Sequence, residues 1–110
     1  PISCTAVRVP VFVGHSEAVE IEFQENVDVN EVRGILSNAY GVEVVDNIDN
    51  YVYPTPRDCE NKNPVYVGRI RKSIGFDNGI TLFCVADNLR IGAALNTVRL
   101  AQKVIEMGLY

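Results

Sequence analysis

The run "GITLFCVA", residues 79–86, constrains the fold more than any other stretch, because it holds eight successive residues without a charge. It is far shorter than the roughly 20 apolar residues a membrane-spanning helix needs, and its β-branched and aromatic content favours a strand. A strand that is apolar throughout is covered on both faces. "VYVGRIR", residues 65–71, alternates instead, which places Val65, Val67, Arg69 and Arg71 on one face and Tyr66, Gly68 and Ile70 on the other. Residues 18–24 alternate as well, with Val19, Ile21 and Phe23 apolar between Glu20, Glu22 and Gln24. The valine-rich residues 5–14 read as a buried strand before it, joined through a turn at Gly14-His15-Ser16-Glu17. "VEVVD", residues 42–46, is a further short strand.

Two segments carry helical periodicity. Asp28, with Glu31 three residues on, forms a variant of the capping box, after which Val32, Ile35, Leu36 and Ala39 recur on one face until Gly41 supplies a stop. At about 100° per residue, residues 89–107 gather Gly92, Asn96, Arg99, Lys103 and Glu106 into one narrow polar ridge. Ile91, Ala94, Leu95, Val98 and Ile105 lie to one side of it, and Ala93, Leu100, Val104 and Met107 to the other. A helix apolar on two sides is expected to be covered from two directions. Residues 47–64, rich in Asn and Asp with three prolines, are longer than an ordinary connection, and are read as functional or as an arm that contacts another chain.

At 110 residues the chain is one domain, or one part of a larger one. A net charge of −4 and an isoelectric point near 4.9 argue against nucleic acid or an anionic membrane as partner. The start Pro1-Ile2-Ser3-Cys4 lacks the features of a signal peptide, so a cytoplasmic location is expected. Cys4, Cys59 and Cys84 show no C-x-x-C spacing, which indicates neither a disulfide framework nor a metal site, and Cys84 reads as a core thiol.

Arg8 sits within an apolar run, where an unpaired charge would be costly. It is either paired to a carboxylate or holds a substrate carboxylate with its guanidinium fork. His15, the single histidine, suits acid/base work by its ordinary titration range, although a histidine in a turn is more often a plain surface or capping residue; the serine and glutamate after it offer partners that could orient it. Seven residues of extended chain span about 23 Å and an odd separation reverses the face. The two can therefore serve one small ligand only if the chain bends or bulges, at Pro10 or Gly14. Cys4, with no histidine adjacent, reads as structural, Arg69 and Arg71 as surface or interface charges, and Asp87-Asn88 as a cap of the last helix. A ligand at that helix start would meet free backbone donors.

Four stretches, "VRVPVFVGHSEAVEIEF", "YPTPRD", "NPVYVGRIR" and "VADNLRIGAALNTVRLAQ", together resemble the C-terminal part of the aspartate-β-semialdehyde dehydrogenase family, in the family's order and over almost the whole chain. That resemblance implies an α+β fold, a mixed and largely antiparallel sheet with helices on one face. Residues 1–86 would belong to the catalytic and dimerisation domain, and residues 87–110 would form a helix docking on a Rossmann domain. It implies reduction of β-aspartyl phosphate to aspartate semialdehyde with release of phosphate, NADP as cofactor bound mainly by the other domain, and a homodimer whose surface is the central sheet. By the same resemblance His15 is the catalytic acid/base, Arg8 binds the substrate's α-carboxylate, and Asn88 lies near the nicotinamide. The family's nucleophilic cysteine and glycine-rich dinucleotide loop have no counterpart in this sequence, so the chain alone is expected to be inactive. The alternative is a stand-alone, non-catalytic assembly module of the same fold.

Overall fold

Residues 79–86 form the strand that the rest of the sheet is built on. A computed structural model describes all 110 residues, Pro1–Tyr110. The chain order is strand β1 (His15–Glu22), helix α1 (Val29–Ser37), strand β2 (Val42–Val44), helix α2 (Pro56–Cys59), strands β3 (Val65–Lys72) and β4 (Gly79–Ala86), and helix α3 (Leu95–Glu106). The four strands make one sheet in the order β1-β4-β3-β2. β4 pairs antiparallel with both β1 and β3, while β2 runs parallel to β3. The mixed, largely antiparallel α+β architecture is therefore present, with "GITLFCVA" flanked by a strand on each side.

Residues 5–14 are a correction. They form no strand, and Thr5–Phe12 are exposed. Valines favour extended backbone, but a strand is completed by a ladder partner, and no strand of this chain pairs with residues 5–14. His15 likewise lies in no turn; it is the first residue of β1. Cys84 is only partly buried, and the core thiol is instead Cys59, with 0 % of its surface exposed. Cys59 packs with Tyr66 and Val85, joined by Val45 and Phe83. Burial of a side chain such as Val85 contributes about 2 kcal/mol.

Local chemistry explains the helix starts. Asp28 caps α1 by accepting the Asn30 N–H at 2.6 Å, and the helix ends at Ser37, before Ala39 and Gly41. Helix α2 lies inside the stretch read as irregular. Pro56 occupies its first turn, and the Asp58 carboxylate accepts both the Thr55 N–H (2.6 Å) and the Thr55 hydroxyl (2.7 Å). Between β3 and β4, Ser73 Oγ accepts the Gly75 and Phe76 N–H groups at 2.9 and 3.1 Å and donates to Glu20 on β1.

The alternation of β3 is broken by a bulge between Gly68 and Arg71, where Arg69 adopts φ +54°. A non-glycine residue in that conformation needs outside support, and Asp46 supplies it. Its two carboxylate oxygens accept the Arg69 N–H at 2.8 Å and the Ile70 N–H at 3.1 Å, and it pairs with Arg33 of α1. Arg33 closes the ring by donating to the Ile70 carbonyl at 3.1 Å. Asp46→Ala would leave two bulge N–H groups and Arg33 without their acceptor, and should cost about 2–3 kcal/mol. Urea denaturation would show this as a lower midpoint with an unchanged slope; an unchanged midpoint would mean the bulge holds itself.

Helix α3 follows a π-helical turn at Arg90–Ala94 and stands largely clear of the sheet. Arg99 stacks over the Tyr40 ring at 5.1 Å, while Val98, Leu100, Ile105 and Met107 all remain exposed. Only 11 of the 110 residues are buried, so the chain leaves apolar surface for something else to cover.

Candidate functional site

Three sequence features place a cleft at the His15 end of β1. The first is Gly14, at φ +101°. A Cβ there would lie 2.8 Å from Cys59 Sγ and 3.4 Å from the Ala86 carbonyl oxygen, so glycine is required both by conformation and by space. The second is the strand register. His15 pairs with Ala86 and Glu17 with Cys84, which turns all four side chains to one face of the sheet. The third is the start of the last helical segment, where Asp87 and Asn88 divide two tasks.

Asp87 is the cap. Its Oδ1 accepts the Leu89 and Arg90 N–H groups at 2.9 and 3.2 Å, and its Oδ2 accepts the Asn61 N–H at 2.9 Å. Burial pushes this carboxyl up, but those N–H bonds and the Arg90 guanidinium outweigh it and hold the group below the ordinary carboxylate range. Asn88 is thereby released from capping. Its Oδ1 accepts the Gly14 N–H at 2.8 Å, tying the helix start to the residue before His15 across 74 positions of sequence.

His15 and Asn88 thus line one cleft of about 190 Å³, together with Glu17, Cys84, Ala86 and Ile91. Burial, and then the neighbouring Glu17 carboxylate, push the Cys84 thiol up. Its Sγ lies 3.9 Å from Glu17 Oε2, so it stays protonated and is no ready nucleophile. Glu17, one of the residues that sequence offers as a partner to orient His15, lines the cleft at a two-residue spacing from it, while Cys84 was missed and enters only through the register. Arg8 does not line the cleft and makes no hydrogen bond or ion pair within the chain; the pairing to a carboxylate considered for it does not occur here. The chain does turn between Arg8 and His15, at both expected places: the Val11 N–H donates to the Val9 carbonyl at 2.9 Å around Pro10, and Gly14 takes its positive φ.

The carboxyls that shape this end predict an acid limit. Thr55 hydrogen bonds hold Asp58 below its ordinary range, as the backbone bonds do Asp87. A lowered folded value means the stability contribution is complete above the unfolded value, near 3.9, and is lost as pH falls through the folded ones. Denaturation midpoints measured from pH 6 to pH 2 should fall below about pH 4, and Asp87→Asn should flatten that fall. An equally steep fall in the variant would assign it to other groups.

Residues 1–91 match the family described as semialdehyde dehydrogenase, dimerisation domain. The chain belongs to this family. Among individual proteins, the aspartate-semialdehyde dehydrogenase of Aquifex aeolicus is 45% identical over 108 residues, covering 98% of this chain and 32% of that protein. That of Rickettsia conorii is 46% identical over 103 residues, covering 94% and 30%. The crystal structure of aspartate semialdehyde dehydrogenase II from Vibrio cholerae complexed with ASA superposes with a TM-score of 0.80 at 41% identity, over 89% of this chain and 29% of that one. The semialdehyde dehydrogenase dimerisation-domain chain described here thus spans about a third of the length of these relatives. No helix in it is long and apolar enough to cross a membrane.

Proposed function

We propose that the chain is the C-terminal, substrate-binding and dimerising part of an NADP-dependent aspartate-semialdehyde dehydrogenase of the cytoplasm, working as a homodimer. The observation that carries this reading is that, in a chain of this family, the Gly14–Asn88 bond sets a histidine and an amide on one cleft. In the proposed reaction β-aspartyl phosphate becomes aspartate semialdehyde and phosphate. His15 moves the protons of the attacking thiol and of the departing product, with the thiol supplied by a cysteine outside this chain. Arg8, which does not line the cleft within this chain, is assigned to the substrate's α-carboxylate, which a guanidinium can hold through two parallel N–H bonds.

The residues present fit one end of a nicotinamide cofactor. A cleft of about 190 Å³ is smaller than a typical cofactor site of about 300–1,000 Å³. Asn88 nevertheless lines the cleft and keeps its amide NH₂ unbonded within the chain, since only its Oδ1 is engaged, by the Gly14 N–H. Asn88 would hold the carboxamide end, and the remainder would be bound by a dinucleotide domain on which the exposed sides of α3 dock. NADPH, when bound, supplies the hydride.

The test is the phosphate-dependent oxidation of aspartate semialdehyde by the full-length protein, read as NADPH formation. Arg8→Ala should raise the KM for the semialdehyde by at least about 10-fold with a smaller change in kcat, because it removes a charge-assisted contact to the substrate. No NADPH formation by the wild type would overturn the reading, and an unchanged KM in Arg8→Ala would remove Arg8 from it.

A further inference from the structure

The His15 cleft contains one carboxylate that the proposed reaction does not use. Ser16 and Glu17 both follow the histidine closely enough to orient it, and the register of β1 chooses between them. Ser16 pairs with Val85, whose side chain belongs to the core with Cys59 and Tyr66, and neighbouring residues of a strand point to opposite faces. The serine hydroxyl is therefore turned away from the imidazole. Glu17, paired with Cys84, returns to the His15 face and lines the same cleft.

Spacing and chemistry both suit the pair. Two residues of extended chain set their Cα atoms about 6.6 Å apart. Strand side chains lean along the strand, so a glutamate can reach the ring beside it. No other acidic side chain lines the cleft, and no lysine or arginine does. Glu17 forms no ion pair within the chain. Its carboxylate has one hydrogen-bond partner, the Cys84 thiol, whose Sγ lies 3.9 Å from Oε2. That thiol is a neutral donor which engages one oxygen and leaves Oε1 free.

An imidazole that moves protons at one nitrogen needs its tautomer and ring orientation set from the other. We propose that Glu17 is the positioning residue of His15: Oε1 accepts the N–H of the imidazole nitrogen that faces away from the substrate, while Cys84 steadies Oε2. In the chain as it stands Glu17 meets only Cys84, and bonds between catalytic groups often close only in the substrate complex. This role rests on the acid/base reading of His15 above and adds the group that holds the histidine in its working orientation.

Steady-state kinetics of the full-length protein, in a double-mutant cycle with His15→Asn, tests it. Glu17→Ala should lower kcat at least about 10-fold and change the KM for the semialdehyde by less than about threefold. Glu17→Gln keeps an amide oxygen that accepts an imidazole N–H, and should recover most of the loss. In the His15→Asn background Glu17→Ala should cost less than about twofold more, because a residue that acts through the histidine has nothing left to orient. Glu17 is exposed, so both variants should melt as the wild type does. An unchanged kcat in Glu17→Ala, or an equal loss in both backgrounds, would overturn this role alone. So would a loss that comes with a lowered melting temperature and is not recovered by Glu17→Gln. A wild-type kcat in His15→Asn would overturn the acid/base reading of the histidine, and this role with it.

Discussion

In the proposed reaction, His15→Asn in the full-length protein is expected to lower kcat by about 10²- to 10⁴-fold, the range typical for loss of a positioned acid/base group. The expectation rests on how the imidazole is placed. His15 opens β1 opposite Ala86, and the residue before it is fixed by three constraints: its own φ of +101°, the wall formed by Cys59, and the bond to Asn88. The side chain is exposed and packs into no core, so its removal should leave the melting temperature within a degree or two. Asparagine retains a polar group of similar reach and no titration near neutrality. KM for the semialdehyde should change less than kcat, since the lost interaction is made in the transition state. Steady-state kinetics with a thermal melt on the same preparation checks all three points. A kcat within about threefold of wild type would remove His15 from the chemistry, and a collapsed melting temperature would make its role structural.

The residues of this site were legible before their geometry was. His15 and Asn88 stand out in sequence, but their meeting depends on a bond between positions 74 apart and on the β1–β4 register, neither of which is a local property. The same register brings Cys84 opposite Glu17. Strand composition read well wherever a partner strand exists, as in β3 and β4. It failed for residues 5–14, whose valines are as strand-prone but meet no ladder within this chain. The alternation that put Arg69 on one face with Val65 and Val67 also failed, since Asp46, 23 residues earlier, takes the N–H groups that would otherwise continue the ladder. Helix α2 is a different kind of miss. Threonine, then proline, then an acid three residues after the threonine is a local start signal, present in "TPRD" and hidden only by the prolines around it.

Gly68→Ala is expected to destabilise the domain by about 3 kcal/mol or more, toward the upper end for an added methyl group in a packed interior. A Cβ at this position would lie 2.3 Å from the Val45 carbonyl oxygen and 2.5 Å from Pro54 Cδ. Neither neighbour can give way cheaply. Val45 is anchored by its N–H bond to the Val67 carbonyl at 2.8 Å, and Pro54 is fully buried with a rigid ring. Pushing Val45 outward would also move Asp46, and with it both N–H bonds of the bulge and the ion pair to Arg33. For a domain of this size the loss corresponds to a fall in melting temperature of roughly 12 °C or more. Gly34→Ala provides the contrast within the same molecule. It lies in α1 with nothing within 4 Å of its would-be Cβ, so alanine should raise stability by about 0.5–1 kcal/mol through helix propensity alone. If both variants melted alike, steric contact at Gly68 would not be what holds β3 against the loop that precedes it.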